Sequence, residues 1–154
     1  MIPLNILEHQ NAVKTLYSKC VGQICRKHGI TRMELDILLF LANNPCFDTA
    51  TDIVEIRCLS KSQVSASVKL LEERGFIRKN YEKENRKTAH LVICGAAAEV
   101  TADGKRAQEK FLSIMMEGIP QEEVDGMKRC MEHILENIRH YLREDKKEES
   151  MGEK

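Results

Sequence analysis

Ser60-Lys61-Ser62-Gln63-Val64-Ser65-Ala66-Ser67-Val68-Lys69-Leu70-Leu71-Glu72-Glu73-Arg74-Gly75-Phe76-Ile77 reads as one helix with both ends specified, running straight into a strand. Ser60 and Gln63 have the S-x-x-Q spacing of a capping box, in which each side chain satisfies the other residue's backbone N–H. Gly75 suits a left-handed cap at the C-terminus, and Phe76 then falls where it touches Leu71, as a Schellman end prefers. Val64, Val68 and Leu71 recur at i, i+4 and i+7 and make one apolar face. The opposite face offers Ser62, Ser65, Ala66 and Lys69, with Lys61 and Gln63 at its rim, and its first turn carries no acid. Side chains this short let a helix lie deep in a groove, and Ser, Gln and Lys can read base edges or hold phosphates.

On the C-terminal side, Phe76–Tyr81 and Thr88–Cys94 read as two strands joined by the polar loop Glu82–Lys87, which makes a hairpin. On the N-terminal side, Thr31-Arg32-Met33-Glu34 is a second capping box. It opens a helix through Ile37, Leu38, Phe40 and Leu41 that stops near Asn43-Asn44-Pro45. Thr49-Ala50-Thr51-Asp52 starts a short helix with Ile53, Val54 and Ile56, and Arg57-Cys58-Leu59 is a turn. A first helix is expected from about Leu4 to Lys27, with Val13, Leu16, Tyr17, Cys20, Val21 and Ile24 as its stripe and His28-Gly29 as its stop. Gly95–Ala98 fits either an irregular link or an early helix start. Thr101 to about Gly118 reads as a helix with Ala107, Phe111, Ile114 and Met115 inward. Pro120 opens a last helix. Its Val124, Met127, Met131, Ile134, Ile138 and Tyr141 form a narrow seam of the kind one helix presents to another.

At 154 residues, one domain with a real core is the default. Few aromatics, no tryptophan and 31% charged residues favour a helical protein over a sandwich or barrel. The longest apolar run, Ile37–Ala42, is far too short to span a bilayer, and Met1–Asn5 lacks the features of a signal peptide, so no membrane partner is expected. Six cysteines (20, 25, 46, 58, 94 and 130) include no C-x-x-C pair, which points to reduced thiols and a cytoplasmic location. The chain is neutral overall, but its charge is uneven. Residues 57–90 hold nine bases against four acids, a net +5, whereas residues 117–154 hold seven bases against eleven acids, a net −4. Positive potential is thus gathered around the capped helix and the hairpin. No nucleophile–base pair or phosphate-binding loop is present, so no catalysis and no cofactor are expected.

Helix, short helix, turn, capped helix and basic hairpin is the order of a winged helix-turn-helix, and Thr31–Cys94 resembles the MarR family of bacterial transcription regulators. The resemblance is carried by Asp52-Ile53-Val54-Glu55, by Leu59-Ser60-Lys61-Ser62-Gln63-Val64-Ser65, by Leu71-Glu72-Glu73-Arg74-Gly75-Phe76-Ile77 and by Glu84-Asn85-Arg86-Lys87 in the wing. Glu84 replaces the family's usual wing aspartate, and Arg86 keeps its arginine. The family's Leu-Thr-x-x-Gly is matched by Val100-Thr101-Ala102-Asp103-Gly104, several residues late. What the resemblance implies is a mainly α fold with a small β-hairpin wing, a winged helix-turn-helix over 31–94. Helical dimerisation regions over 1–30 and 97–145 and a flexible tail over 146–154 complete one continuous domain. It also implies a homodimer that binds a pseudo-palindrome in double-stranded DNA, usually as a repressor, and answers to a small molecule or to oxidation.

The residues themselves also argue for a dimer, because one helix and one wing reach few base pairs and two copies read a palindrome. Lys61, Ser62, Gln63, Ser65 and Lys69 are expected at the DNA through the helix, and Lys83, Arg86 and Lys87 through the wing, with Arg86 in or beside the minor groove. The competing account is a solvated polar face and an ordinary loop arginine, in a winged-helix module that binds an acidic protein instead of DNA. Arg78 fits a pair with Glu84 or a phosphate contact, and Thr49 and Thr51 fit capping or phosphate binding equally well. Cys20 and Cys25 lie on the first helix, where some family members sense peroxide, yet Cys20 belongs to the apolar stripe of a structural thiol. Cys25-x-x-His28 supplies two ligands only, and His9, His90, His133 and His140 show no ligand spacing, so no metal is expected.

Overall fold

In the structure, a computed structural model, the backbone is described for residues 6–152 and the side chains for residues 8–143. The elements are α1 (Ile6–His28), α2 (Arg32–Asn43), α3 (Ala50–Arg57), α4 (Lys61–Glu73), β1 (Ile77–Tyr81), β2 (Ala89–Ile93), a single 3-10 turn (Gly95–Ala97), α5 (Ala98–Met115) and α6 (Gln121–Gly152). They fall into two compact units, Met1–Leu112 and Ser113–Lys154. The start of the first expected helix, at Leu4, lies outside the described residues.

In the first unit α2 is the centre. Leu35, Ile37, Leu38, Leu39, Phe40 and Leu41 are all buried, so this helix is apolar all round and the others pack about it. Ile53 of α3, Val64, Val68 and Leu71 of α4, Ile77 of β1, Leu91 of β2, Val100 and Ala107 of α5 and Val21 of α1 complete the core. Each of these valines, leucines, isoleucines and Phe40 contributes about 1.5–3 kcal/mol by leaving water.

The chain ends its helices with local chemistry. Thr31 and Glu34 form a complete capping box on α2, and Thr49 and Asp52 form another on α3. Cys58 closes α3 in the left-handed region (φ 51°), which turns the chain towards α4. At α4 the expected box is only half made. Ser60 Oγ accepts the Gln63 N–H at 3.3 Å, but the Gln63 amide oxygen takes the Ser60 hydroxyl proton, at 2.9 Å, in place of the backbone N–H. The Gln63 side chain thus serves the Ser60 hydroxyl, and the reciprocal bond from the Ser60 N–H is not made. The other end forms as expected: Phe76 N–H donates to Leu71 O and Gly75 N–H to Glu72 O, each at 2.9 Å, with Gly75 at φ +70°.

β1 and β2 pair antiparallel, with Ile77 opposite Ile93 and Tyr81 opposite Ala89. Thr49 bridges His90, and the Leu91 N–H donates to Asp48 O at 2.7 Å, so the segment entering α3 adds a short third edge to the hairpin. The ambiguous Gly95–Ala98 stretch resolves into the 3-10 turn and the first residue of α5. That helix therefore starts three residues before Thr101 and buries Val100, Asp103, Gly104 and Ala107.

In the second unit Ile114, expected inward, is 42% exposed. On α6 Val124 is buried, while Met127, Met131, Ile134, Ile138 and Tyr141 are 40–69% exposed. The backbone of α6 runs on through residues 146–152 of the expected tail, and residues 153–154 lie outside the described residues. Among the described residues no helix is long and apolar enough to cross a membrane.

Candidate nucleic-acid interface

The apolar residues of α4 face the core, and this decides what its other face offers. With Val64, Ser67, Val68 and Leu71 buried, Lys61, Ser62, Gln63, Ser65, Ala66 and Lys69 are all exposed. The first turn has no acid, so Lys61 adds to the positive end of the helix dipole. Ser62 Oγ lies 3.4 Å from Ser60 Oγ, and the Gln63 amide oxygen is held by Ser60. Lys69 Nζ stands 3.8 Å from Glu73, an exposed i,i+4 pair worth about 0.5 kcal/mol at most and easily given up.

The wing follows directly from the Gly75 turn. Its base is fixed by buried Ile77 and Leu91 and by Lys79, which donates to Glu72 at 2.7 Å; that bond raises the lysine's pKa. The acid partner in this region thus serves Lys79, and no Arg78–Glu84 pair forms among the described residues. His90 Nδ1 meets Asp48 at 2.8 Å, which raises the histidine's pKa and ties β2 to the start of α3. At the tip, Asn85 braces the loop: its N–H donates to Glu82 O, its side-chain amide to Thr88 Oγ1, and its oxygen accepts the Lys87 N–H, all at 3.2 Å. Lys83, Arg86 and Lys87 are exposed on this braced loop. Sequence reasoning passed over Tyr81, which is half exposed and lines an open groove of about 500 Å³ with Glu82, Lys83 and Arg86. An aromatic residue at the end of a strand carries no mark of that role.

A second ionic cluster lies where α1 meets α5. Buried Asp103 accepts from Lys27 Nζ and His28 Nε2, each at 2.8 Å, and from Arg106; Lys27 also reaches Glu99 at 2.7 Å. These bonds, Lys27's first, hold the Asp103 carboxyl far below the usual carboxylate range. His28, Glu99 and Asp103 bring three donor atoms within 4.8 Å of one another, but the Lys27 ammonium stands between the two carboxylates as their cation. On the same helix α1, burial pushes the Cys25 thiol up, opposite to what a reactive thiolate needs, and Cys20 is half-buried.

Residues 28–87 match the family model described as the MarR family. Over that stretch, somewhat under half of its length, this chain is similar to the MarR family. The fold is shared with solved MarR structures along most of the chain. A putative MarR-family regulator from Listeria monocytogenes, solved with 26mer DNA, is 18% identical, with a TM-score of 0.77 over 90% of this chain and 91% of that one. The DNA complex of MepR from S. aureus is 13% identical, with a TM-score of 0.72 over 88% and 96%. CouR from Rhodococcus jostii, solved with p-coumaroyl-CoA, is 18% identical, with a TM-score of 0.69 over 84% and 91%. By sequence, no curated protein matches the chain. The stretch Val100–Gly104, which resembles the MarR Leu-Thr-x-x-Gly, lies in the first turns of α5, which starts at Ala98 directly after the 3-10 turn. Its glycine lets α5 approach α2 closely: a Cβ at Gly104 would stand 2.9 Å from Leu39 Cδ2 and 3.0 Å from Leu35 Cδ1, so those buried side chains would have to shift.

Proposed function

We propose that this MarR-type chain is a cytoplasmic regulator of transcription, in the usual family role of repressor, that binds a pseudo-palindrome in double-stranded DNA as a homodimer. Lys61, Ser62, Gln63, Ser65 and Lys69 meet the major groove, and Lys83, Arg86 and Lys87 meet the backbone and the minor groove at the wing. The observation that carries this reading is the exposed, acid-free start of α4 beside a braced basic wing on one rigidly packed core. The two DNA-bound relatives support it, and the ligand in CouR supports a small molecule as the effector. An oxidising effector remains in the proposal, through Cys20 in preference to Cys25, whose thiol burial disfavours.

Salt-dependent binding to duplex fragments from beside the protein's own gene tests this. One fragment is expected to bind well above random duplex at moderate salt. Log affinity is expected to fall with log salt at a slope of roughly −0.9 per phosphate neutralised. Arg86→Ala weakens every sequence broadly, whereas Ser65→Ala or Gln63→Ala also blurs the preference for the chosen fragment. If no fragment exceeds random duplex, the regulator reading fails and a protein-binding winged helix takes its place. If all three variants lose equally on every sequence, the assignment of α4 as the reading helix fails.

A further inference from the structure

Glu34 carries a charge that its local task does not need. It is the third residue of α2 and is 0% exposed, and its Oε2 accepts the Thr31 N–H at 2.7 Å. A capping box is served equally well by glutamine, so the cap does not account for a buried carboxylate. The second oxygen, Oε1, is buried with no hydrogen bond, and among the described residues the cation paired with it is Arg74, whose Nε lies 3.4 Å away. Arg74 is the C-cap residue of α4 and immediately precedes Gly75, the joint at which the chain turns into the wing.

We infer that Glu34 is a positioning residue for DNA recognition: through Arg74 it fixes the seat of α4 and the root of the wing on α2. This rests on the DNA-binding reading above. The apolar contacts of Val64, Val68 and Leu71 hold α4 against the core without direction, because burial rewards area and not register. An ion pair with one buried partner instead ties two particular residues to each other. It adds little net stability once desolvation is counted, and in some proteins it serves to select one arrangement. α2, buried on every side, is the fixed frame; Arg74 is the point at which both DNA-reading elements attach to it.

The test uses the full chain and a duplex selected by the wild type from a random library. E34Q keeps the cap and leaves Arg74's charge in place, so lost binding cannot come from a lost phosphate contact. It is expected to melt near the wild type. Its preference for the selected duplex over random duplex falls about tenfold, a modest change of binding free energy. Binding to random duplex, which phosphate contacts set, changes by less than about twofold. R74M strands the buried carboxylate and melts clearly lower; E34Q/R74M recovers part of that loss while still lacking the preference. If E34Q discriminates as the wild type does, or if the double variant melts no higher than R74M, this inference is overturned alone. A wild type that selects no duplex overturns the regulator reading and this inference with it.

Discussion

His90 shows how much a single side chain can hold. Its Nδ1 bonds Asp48 in the segment entering α3, its Nε2 lies 3.9 Å from Glu82 at the wing, and Asp52 adds a weaker attraction. All of these are acids, with the Asp48 bond dominant, so the histidine is held protonated above its ordinary value of 6.5. A raised folded-state pKa gives stability that is present in full below the unfolded value and is lost as pH rises through the folded one. His90→Gln is therefore expected to cost most below the ordinary histidine value of 6.5 and progressively less as pH rises through the raised folded-state value. Urea denaturation of both proteins across that range reads the difference, and a gap independent of pH would show that the proton plays no part. Gly104 is the spatial counterpart. It sits mid-helix with ordinary dihedrals, and Leu35 and Leu39 approach it so closely that an added side chain would make them shift.

At the scale of elements, α4 packs on the core through Val64, Val68 and Leu71 and has both ends set by local chemistry. Gly75 lies at φ +70°, where an added Cβ meets no neighbouring atom, so a substitution there isolates the backbone cost. Gly75→Ala should destabilise the protein by about 1–2 kcal/mol, the usual charge for a left-handed L-residue, as read by chemical denaturation. A loss near zero would mean that the Schellman end contributes nothing. The end was legible in the sequence because its signals are neighbours: glycine, the following phenylalanine and the i, i+4, i+7 stripe all lie within one segment. The same holds for the caps at Thr31 and Thr49 and for both strands. What the sequence did not disclose is non-local. Asp48 and His90 are 42 residues apart, Lys27 and Asp103 are 76 apart, and nothing in the spacing of either pair announces it. The half-made box at Ser60 escaped for another reason, since S-x-x-Q fixes who can bond but not which proton is given. The eight residues expected at the DNA are all exposed, as an interface requires; the third edge of the sheet and the Glu34–Arg74 pair became visible only when the chain was folded.

At the scale of the whole molecule, the argument turns on α6. Met127, Met131, Ile134, Ile138 and Tyr141 follow one another at helical spacing and remain exposed, with Leu135 and Leu142 beside them. A contiguous apolar surface of this kind marks an interface. The proposed DNA-reading role of α4 and the wing asks for the same thing, since two copies of α4 set roughly 34–36 Å apart would read two half-sites. A twofold dimer places each residue of the seam in the interface twice. In the proposed homodimer Ile134→Asp would remove two isoleucines from the interface, about 1.5–3 kcal/mol each. Its dimer dissociation constant should rise at least about a hundredfold, as sedimentation equilibrium would read. The same variant leaves the α4 face and the wing untouched. Binding to a single half-site should then survive, while binding to the full palindrome falls, because two linked half-sites owe their joint affinity to the link. A wild type that sediments as a monomer would remove the seam from the argument, and the exposed stripe would then belong to a different protein partner.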